Sequence, residues 1–141
     1  MAVRDRLSGW LGRLIARPTL GRRGEALAAK YLKRRGYKIA ARSDRLWPGE
    51  LDLVAVQGRT VVFVEVKTRR SDEAGHPSEA VHDEKQRRLT RLAVTFLKRH
   101  GLMEYAARFD VIAITWPDRG RPTVEHIENA FDATGSQELY S

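Results

Sequence analysis

Hydrophobic residues recur along this chain with two different periods, which predict helices and strands in turn. A helical period runs from Leu20 to Arg35, where Gly36 favours termination, and a second one runs from Asp83 to Arg99. Runs of β-branched residues bounded by turn residues predict strands. The predicted strands are Tyr37–Arg42, Glu50–Val56, Thr60–Lys67, Arg108–Trp116 and Thr123–Ile127.

The order of these elements is helix, three strands, helix and two strands. Between them, Ser43–Gly49 and Pro117–Pro122 are typical of turns, and Thr68–Ser78 is typical of a polar loop. A central mixed sheet flanked by helices is the simplest arrangement that buries all of these apolar faces. The sequence therefore predicts one α/β domain over residues 20–132, followed by a C-terminal tail over residues 133–141.

Residues 1–19 carry a separate pattern that predicts a basic amphipathic helix, extra to the α/β domain. Its apolar positions, interspersed with arginines, are Leu7, Trp10, Leu11, Leu14 and Ile15. Such a helix could pack on the domain, or it could lie on a membrane surface or on nucleic acid. No apolar stretch approaches the roughly 20 residues that cross a bilayer, and residues 1–19 lack the continuous apolar segment of a secretory signal. We therefore expect a cytoplasmic protein without integral membrane association.

Composition adds a strong positive charge to this picture. The 141 residues carry a formal net charge of +8, which attracts polyanions such as phosphate backbones or anionic lipid. The chain has no cysteine, which excludes disulfides, thiolate zinc sites and cysteine nucleophiles. Its four histidines show no metal-ligand spacing and are interpreted as surface or structural residues.

The candidate chemistry lies in the hairpin of the second and third predicted strands. A two-residue turn at Gln57–Gly58 would place Val56 opposite Arg59, and directly paired residues point to the same face. With this register and the alternation of strand side chains, four charged residues converge on one face. They are Glu50, Asp52, Glu65 and Lys67.

Carboxylates gathered on a partly buried strand repel one another unless a cation lies between them. Mg²⁺ takes oxygen ligands and can activate a water molecule for attack on a phosphodiester, and Lys67 could stabilise the resulting charge. The alternative is a solvated strand end with an ordinary ion pair. The acid-x-lysine pattern alone does not decide, because Asp83–Lys85 also matches it at the start of a helix.

Several motifs in order resemble the YraN-like family, a small group of bacterial proteins with a restriction-endonuclease-like fold. The resemblance covers about residues 20–132. The motifs are Gly24–Ala26, Gly49–Ala55 (GELDLVA), Val62–Arg69 (VFVEVKTR), Lys85–Leu89 and Arg108–Val111. The broader PD-(D/E)xK nuclease superfamily, which includes Holliday-junction resolvases, is similar in its Asp…Glu-x-Lys core.

This resemblance implies roles for individual residues. Asp52 and Glu65 would be metal ligands for Mg²⁺ or Mn²⁺, and Lys67 would be the catalytic lysine. Glu25 would complete the catalytic and metal set, whereas an acid favoured by the helix dipole is the alternative for it. Glu50 matches the family motif either as an outer acid that supports the ligands or as a simple hairpin residue.

Basic residues around this site would bind nucleic acid, with a solvated surface as the alternative in each case. They are Arg69, Arg70, Lys85 and Arg88. The resemblance implies a metal-dependent endonuclease acting on DNA in preference to RNA, with branched or damaged DNA as candidate substrates. The alternative is a non-catalytic nucleic-acid-binding accessory protein with the same fold. Resolvases of this superfamily are dimers, so a homodimer is a further expectation.

Overall fold

The computed structural model describes residues 19–46, 49–71 and 82–133. The predicted N-terminal helix and nearly all of the predicted tail lie outside these residues. The elements, in chain order, are α1 (Leu20–Arg34), β1 (Lys38–Leu46), β2 (Gly49–Gln57), β3 (Thr60–Arg70), α2 (Asp83–Arg99), β4 (Ala106–Trp116) and β5 (Thr123–Phe131). Within the described ranges, neither helix is long and apolar enough to span a membrane.

The five strands form one mixed sheet in the order β1-β2-β3-β4-β5. The strands β3 and β4 are parallel, and every other neighbouring pair is antiparallel. A parallel pair needs a crossover connection, and α2 supplies it between β3 and β4. The α/β class is confirmed, and the arrangement is consistent with the restriction-endonuclease-like fold that the resemblance implied.

The sheet is buried on both faces, as its nearly continuous apolar strands predict. Leu89, Leu92 and Phe96 of α2 cover one face, where they pack on Val54, Phe63 and others from the sheet. Ala28, Ala29 and Leu32 of α1 cover the other face, where they pack on Leu53, Val62, Val64 and Ile112. The apolar spacing within each helix therefore identified the face that it buries.

All five strands are longer than the sequence predicted, and β1, β3 and β5 show the largest differences. The segment Ser43–Gly49 was predicted to be a turn, but β1 continues to Leu46 because β2 provides it with a pairing partner. Ser43 adopts a φ of 48° within this strand. The strand β3 runs on through Arg70, opposite Trp116 of β4, and β5 runs on to Phe131. In each case a neighbouring strand provides hydrogen-bond partners for the backbone of the extension. The local sequence does not show that such partners are present.

The hairpin turn between β2 and β3 was predicted one residue too early. Val56 pairs with Val61, not with Arg59, so the two turn residues are Gly58 and Arg59. Gly58 has a φ of 60°, and a glycine at the first of two central positions is typical of a type II′ turn. The register thus moves by two residues along β3, and a shift of two leaves the side chains of the paired residues on their predicted faces.

Gly24 sets how closely α1 approaches β3. It is buried, and a Cβ placed on it would overlap the Cγ2 of Thr68. The helix can therefore lie close to β3 only because residue 24 has no side chain. This contact holds the next residue, Glu25, near the end of the sheet where the hairpin acids lie.

We expect Gly24→Ala to destabilise the protein by about 1 to 3 kcal/mol, because the new methyl group overpacks a closed contact. Chemical denaturation measures this change. Gly21→Ala is the matched control: a Cβ there meets only Thr19 Oγ1 at 3.9 Å, so alanine should stabilise the helix by about 0.5 to 1 kcal/mol. A second change, Thr68→Ser, removes Cγ2 and should restore the stability that Gly24→Ala loses. If the stability is not restored, this packing explanation is wrong.

Candidate functional site

The candidate site begins where the backbone ladder between β2 and β3 stops. The last paired residues are Leu53 and Val64. Beyond them, the backbone N–H of Val66 donates a hydrogen bond to the side chain of Asp52, at 2.9 Å from Oδ2. The Asp52 carboxylate thus takes the place of a main-chain carbonyl as the acceptor. This hydrogen bond satisfies the N–H group of Val66 and holds Asp52 against β3.

The alternation of side chains along β2 is interrupted at the same residue. Leu51 packs in the cluster beneath α2, whereas Leu53 packs in the cluster beneath α1. Regular strand geometry would put both leucines on one face. Asp52 therefore lies at the end of the sheet within reach of residues from both helices.

Glu25 of α1 and two acids of β2 form a tight cluster. Glu25, Glu50 and Asp52 each offer a carboxylate oxygen, and these oxygens all lie within 4.8 Å of one another. Ser43 of β1 donates a hydrogen bond of 2.6 Å to Glu25 Oε2, which orients that carboxylate. Glu25 lies beyond the first turn of α1, which contains no acid, so the helix-dipole explanation of this residue is wrong.

Glu65 of β3 lies beside this cluster and is paired with two lysines. Glu65 is only 7 % exposed. Its Oε1 lies 3.4 Å from the Nζ of Lys67 and in direct contact with the Nζ of Lys85, the third residue of α2. A buried carboxylate is costly without such partners. The helix α2 therefore contributes a lysine to the site.

The environment shifts the ionisation of several of these groups. Burial, followed by the negative charge of Glu65, raises the pKa of Asp52 to about 7. Burial also lowers the pKa of Lys67 below its usual value, and the neighbouring Lys85 adds to this effect. Burial opposes charge on Lys85 as well, but its bonds with Glu65 and Lys67 prevail and raise its pKa. Lys85 thus holds its proton more firmly than Lys67 does.

The donor set matches the preferences of a hard divalent cation. Mg²⁺ and Mn²⁺ take oxygen ligands, and carboxylates are the protein groups that most often supply them. Asp52 is the central residue, since its carboxylate lies beside those of Glu25, Glu50 and Glu65. The carboxylates that lie close enough to share a metal ion are those of Glu25, Glu50 and Asp52. Glu65 adjoins Asp52, but its Oε1 is paired with two lysines.

The basic residues predicted to bind nucleic acid take different positions. Arg70 and Arg88 are exposed, and Arg69 is half-buried, with its Nε donating to Thr115 Oγ1 at 3.4 Å. Lys85 is paired with Glu65, so the solvated helix face considered for it is wrong. Arg69 and Arg70 lie in β3, not in a loop.

Comparison with known proteins places this chain in a family. The model of an uncharacterised protein family, UPF0102, matches residues 24–114, a range that contains all of the site residues above. The chain belongs to the UPF0102 family. A UPF0102 protein of Rhodopirellula baltica is 43 % identical to it, over 96 % of this chain and 87 % of the relative. Another, from Geobacter sulfurreducens, is 51 % identical over 80 % of this chain and 88 % of the relative.

This UPF0102 chain also contains a buried polar network that sequence reasoning did not assign. Asp110 of β4 is fully buried and accepts hydrogen bonds from Arg108, His126 and the backbone N–H of Asn129. His126 is thus structural, as the absence of metal spacing predicted. Asp110 lies in a motif of the resemblance, but its partners on β5 depend on the β4–β5 register, which shifts between Phe109 and Val111.

In the absence of divalent metal, we expect Asp52→Asn to stabilise the UPF0102 protein more at pH 8 than at pH 5. The pKa of Asp52 is raised on folding, so the neutral carboxyl favours the folded state at low pH. This contribution is lost as pH rises from about 4 toward about 7, at a cost on the order of 2 to 4 kcal/mol, and asparagine avoids the loss.

Urea denaturation in EDTA at the two pH values measures this difference. Asp118→Asn, in the exposed turn after β4, is the reference for removing an aspartate charge from the surface. An equal effect of Asp52→Asn at pH 5 and pH 8 would contradict the assigned cause. Adding Mn²⁺ should reduce the advantage of Asp52→Asn, because a bound cation offsets the charge of the wild-type carboxylate.

Proposed function

We propose that this protein is a metal-dependent endonuclease that hydrolyses phosphodiester bonds of nucleic acid, with DNA preferred over RNA. One observation carries the proposal: Asp52 is held by β3 beside Glu65, and Lys67 lies 3.4 Å from Glu65. The resemblance to PD-(D/E)xK nucleases gives Asp52 and Glu65 the roles of metal ligands and Lys67 the role of catalytic lysine.

The side chains divide the work of such a reaction. Asp52, Glu65 and Glu25 would hold Mg²⁺ or Mn²⁺, while Ser43 keeps the Glu25 carboxylate oriented. When bound, the cation would polarise the phosphodiester and make a water molecule a better nucleophile. Lys67 donates a hydrogen bond and positive charge to a phosphate oxygen as negative charge develops there.

The charge distribution supports catalysis over binding alone. The chain carries a net charge of +8, and Arg70 and Arg88 are exposed. These features suit attraction of a phosphate backbone. Carboxylates at the same place would repel that backbone unless a cation intervened, so a protein that only binds nucleic acid has no use for them.

The test is cleavage of end-labelled single-stranded, duplex, flap and four-way-junction DNA, together with RNA. Each substrate is incubated with Mg²⁺, Mn²⁺ or EDTA. We expect cleavage of at least one DNA substrate that depends on the added cation and is lost in Asp52→Asn, because asparagine removes the central negative ligand.

Two controls make this result specific. Asp118→Asn should cleave like wild type, and wild type and Asp52→Asn should bind the same DNA in Ca²⁺ by fluorescence anisotropy. If wild type binds the panel but cleaves nothing with any cation, and Asp52→Asn binds as well or better, the endonuclease proposal is wrong. The non-catalytic accessory function would then replace it.

A further inference from the structure

Lys67 and Lys85 reach the same carboxylate from different elements. Lys67 lies two residues after Glu65 in β3, so the strand fixes its position relative to that acid. Lys85 comes from α2, across the crossover connection, and contacts the same oxygen, Oε1. The two ammonium groups thus share one acceptor atom, and they repel each other at that distance.

The Lys85 contact neutralises the negative charge of Glu65. Without a cation this charge would be unfavourable, because the side chain is buried beside a second acid. The side chain of Glu65 is 8 % exposed, and Asp52 lies beside it as a second acid. Burying an anion away from water is costly unless a cation is buried beside it. In the metal-free protein, Lys85 is the cation that another element of the fold brings to Glu65.

The side chain of Lys85 can also move away from Glu65, because part of it faces solvent. Its side chain is 25 % exposed, and the four-carbon stem of a lysine rotates easily about its bonds. A divalent ion bound between Glu65 and Asp52 would lie close to the ammonium of Lys85, because Lys85 contacts the Glu65 carboxylate and interacts with the charge of Asp52. Because two cations beside one carboxylate repel strongly, a metal ion and Lys85 compete for Glu65.

We propose that Lys85 is a displaceable counter-ion: it holds Glu65 in the metal-free protein, and a divalent cation bound by Glu65 and Asp52 drives its ammonium outward to contact a substrate phosphate. This inference rests on the proposed function, since it requires that site to bind metal. It makes Lys85 a positioning residue for Glu65 without metal and a phosphate ligand with metal.

The first test is the affinity for Mn²⁺, measured by isothermal titration calorimetry without nucleic acid. Lys85→Met keeps the length of the side chain and removes its charge. We expect it to bind Mn²⁺ about tenfold more tightly than wild type, because the competing cation is gone. Lys98→Met, at the exposed end of α2, is the matched control and should bind Mn²⁺ like wild type. Lys85→Arg should keep the lower affinity of wild type, because it keeps the charge.

The second test uses the wild-type chain and does not depend on the folding of a variant. Lysines are dimethylated with ¹³C, which keeps their charge, and their methyl signals are followed by NMR during titration with Mg²⁺. We expect the Lys85 signal to move toward the position of a solvated lysine, while the Lys98 signal stays in place.

These measurements separate the two proposals. If wild type binds Mn²⁺ but Lys85→Met binds it equally or more weakly, or if the Lys85 signal does not respond to Mg²⁺, the counter-ion inference is wrong and the endonuclease proposal stands. If neither wild type nor Lys85→Met binds Mn²⁺, both are wrong. Anisotropy in Ca²⁺ adds an independent check, since Lys85→Met should bind DNA several-fold more weakly than Lys98→Met.

Discussion

Lys67→Met is expected to lower the rate of metal-dependent phosphodiester cleavage by about 10³-fold, with little change in stability. The Nζ of Lys67 lies 3.4 Å from Glu65 Oε1, inside the group of acids proposed to bind the metal. In the proposed reaction its charge would act there on a phosphate oxygen, in surroundings from which water is partly excluded. Methionine keeps the length of the chain and removes both the charge and the hydrogen bond.

Single-turnover cleavage of the preferred DNA substrate measures this effect. Binding of Mn²⁺ should persist in Lys67→Met, because this lysine is not a ligand, and that result would separate a catalytic role from a role in metal binding. Lys98→Met provides the control for loss of a lysine charge. A cleavage rate within tenfold of wild type would exclude Lys67 as the catalytic lysine.

Asp110→Asn is expected to have the largest effect on stability, a loss of about 3 to 5 kcal/mol. Asp110 is fully buried, and its two oxygens accept from Arg108 at 3.0 and 3.2 Å and from His126 at 2.8 Å. Asparagine removes the charge that pairs with Arg108. It also replaces an acceptor by a donor, which leaves one of the facing N–H groups without a partner.

This loss should depend on pH in a defined direction. Burial tends to raise the pKa of Asp110, but the hydrogen bonds from His126, Arg108 and Asn129 prevail and hold it below the usual range. A lowered pKa stabilises the folded state at neutral pH, and the contribution disappears as pH falls below about 4. The stability difference between wild type and Asp110→Asn should therefore shrink between pH 7 and pH 3.5.

Urea denaturation at both pH values measures the difference. Glu128→Gln is the control on the same face: this exposed acid lies 3.4 Å from the Tyr37 hydroxyl, which donates to it, and its loss should cost less than about 1 kcal/mol. At a temperature where Asp110→Asn is folded, it should cleave DNA like wild type. Selective loss of cleavage without loss of stability would show that Asp110 belongs to the catalytic site.

The surroundings of Asp110 and Asp52 show why two aspartates on the strands that flank β3 differ so much. Asp110 is surrounded by donors, including a guanidinium, and its charge is stabilised in the folded protein. Asp52 is partly buried, has one backbone donor and faces other carboxylates, so its charge is destabilised in the folded protein. The first arrangement stabilises a fold, and the second is typical of a site that binds a ligand.

The sequence alone determined the element types, their order and the face that each helix buries. These features follow from local periodicity, such as the apolar positions Ala28 and Leu32 of α1 or Leu89 and Phe96 of α2, and periodicity is a property of the chain itself. The proximity of Asp52 and Glu65 was also predictable, because a two-residue error in register keeps paired side chains on the same face. The break in alternation between Leu51 and Leu53 was not predictable.

Only the tertiary structure decided which partners those acids have. The extension of β1 to Leu46 and of β3 to Arg70 depends on neighbouring strands, whose pairing the local sequence does not encode. The approach of Glu25 to Asp52 depends on how closely α1 packs on β3, where Gly24 of the helix meets Thr68 of the strand. The pairing of Lys85 with Glu65 joins residues from separate elements, and such contacts arise only when the helix and the sheet pack together.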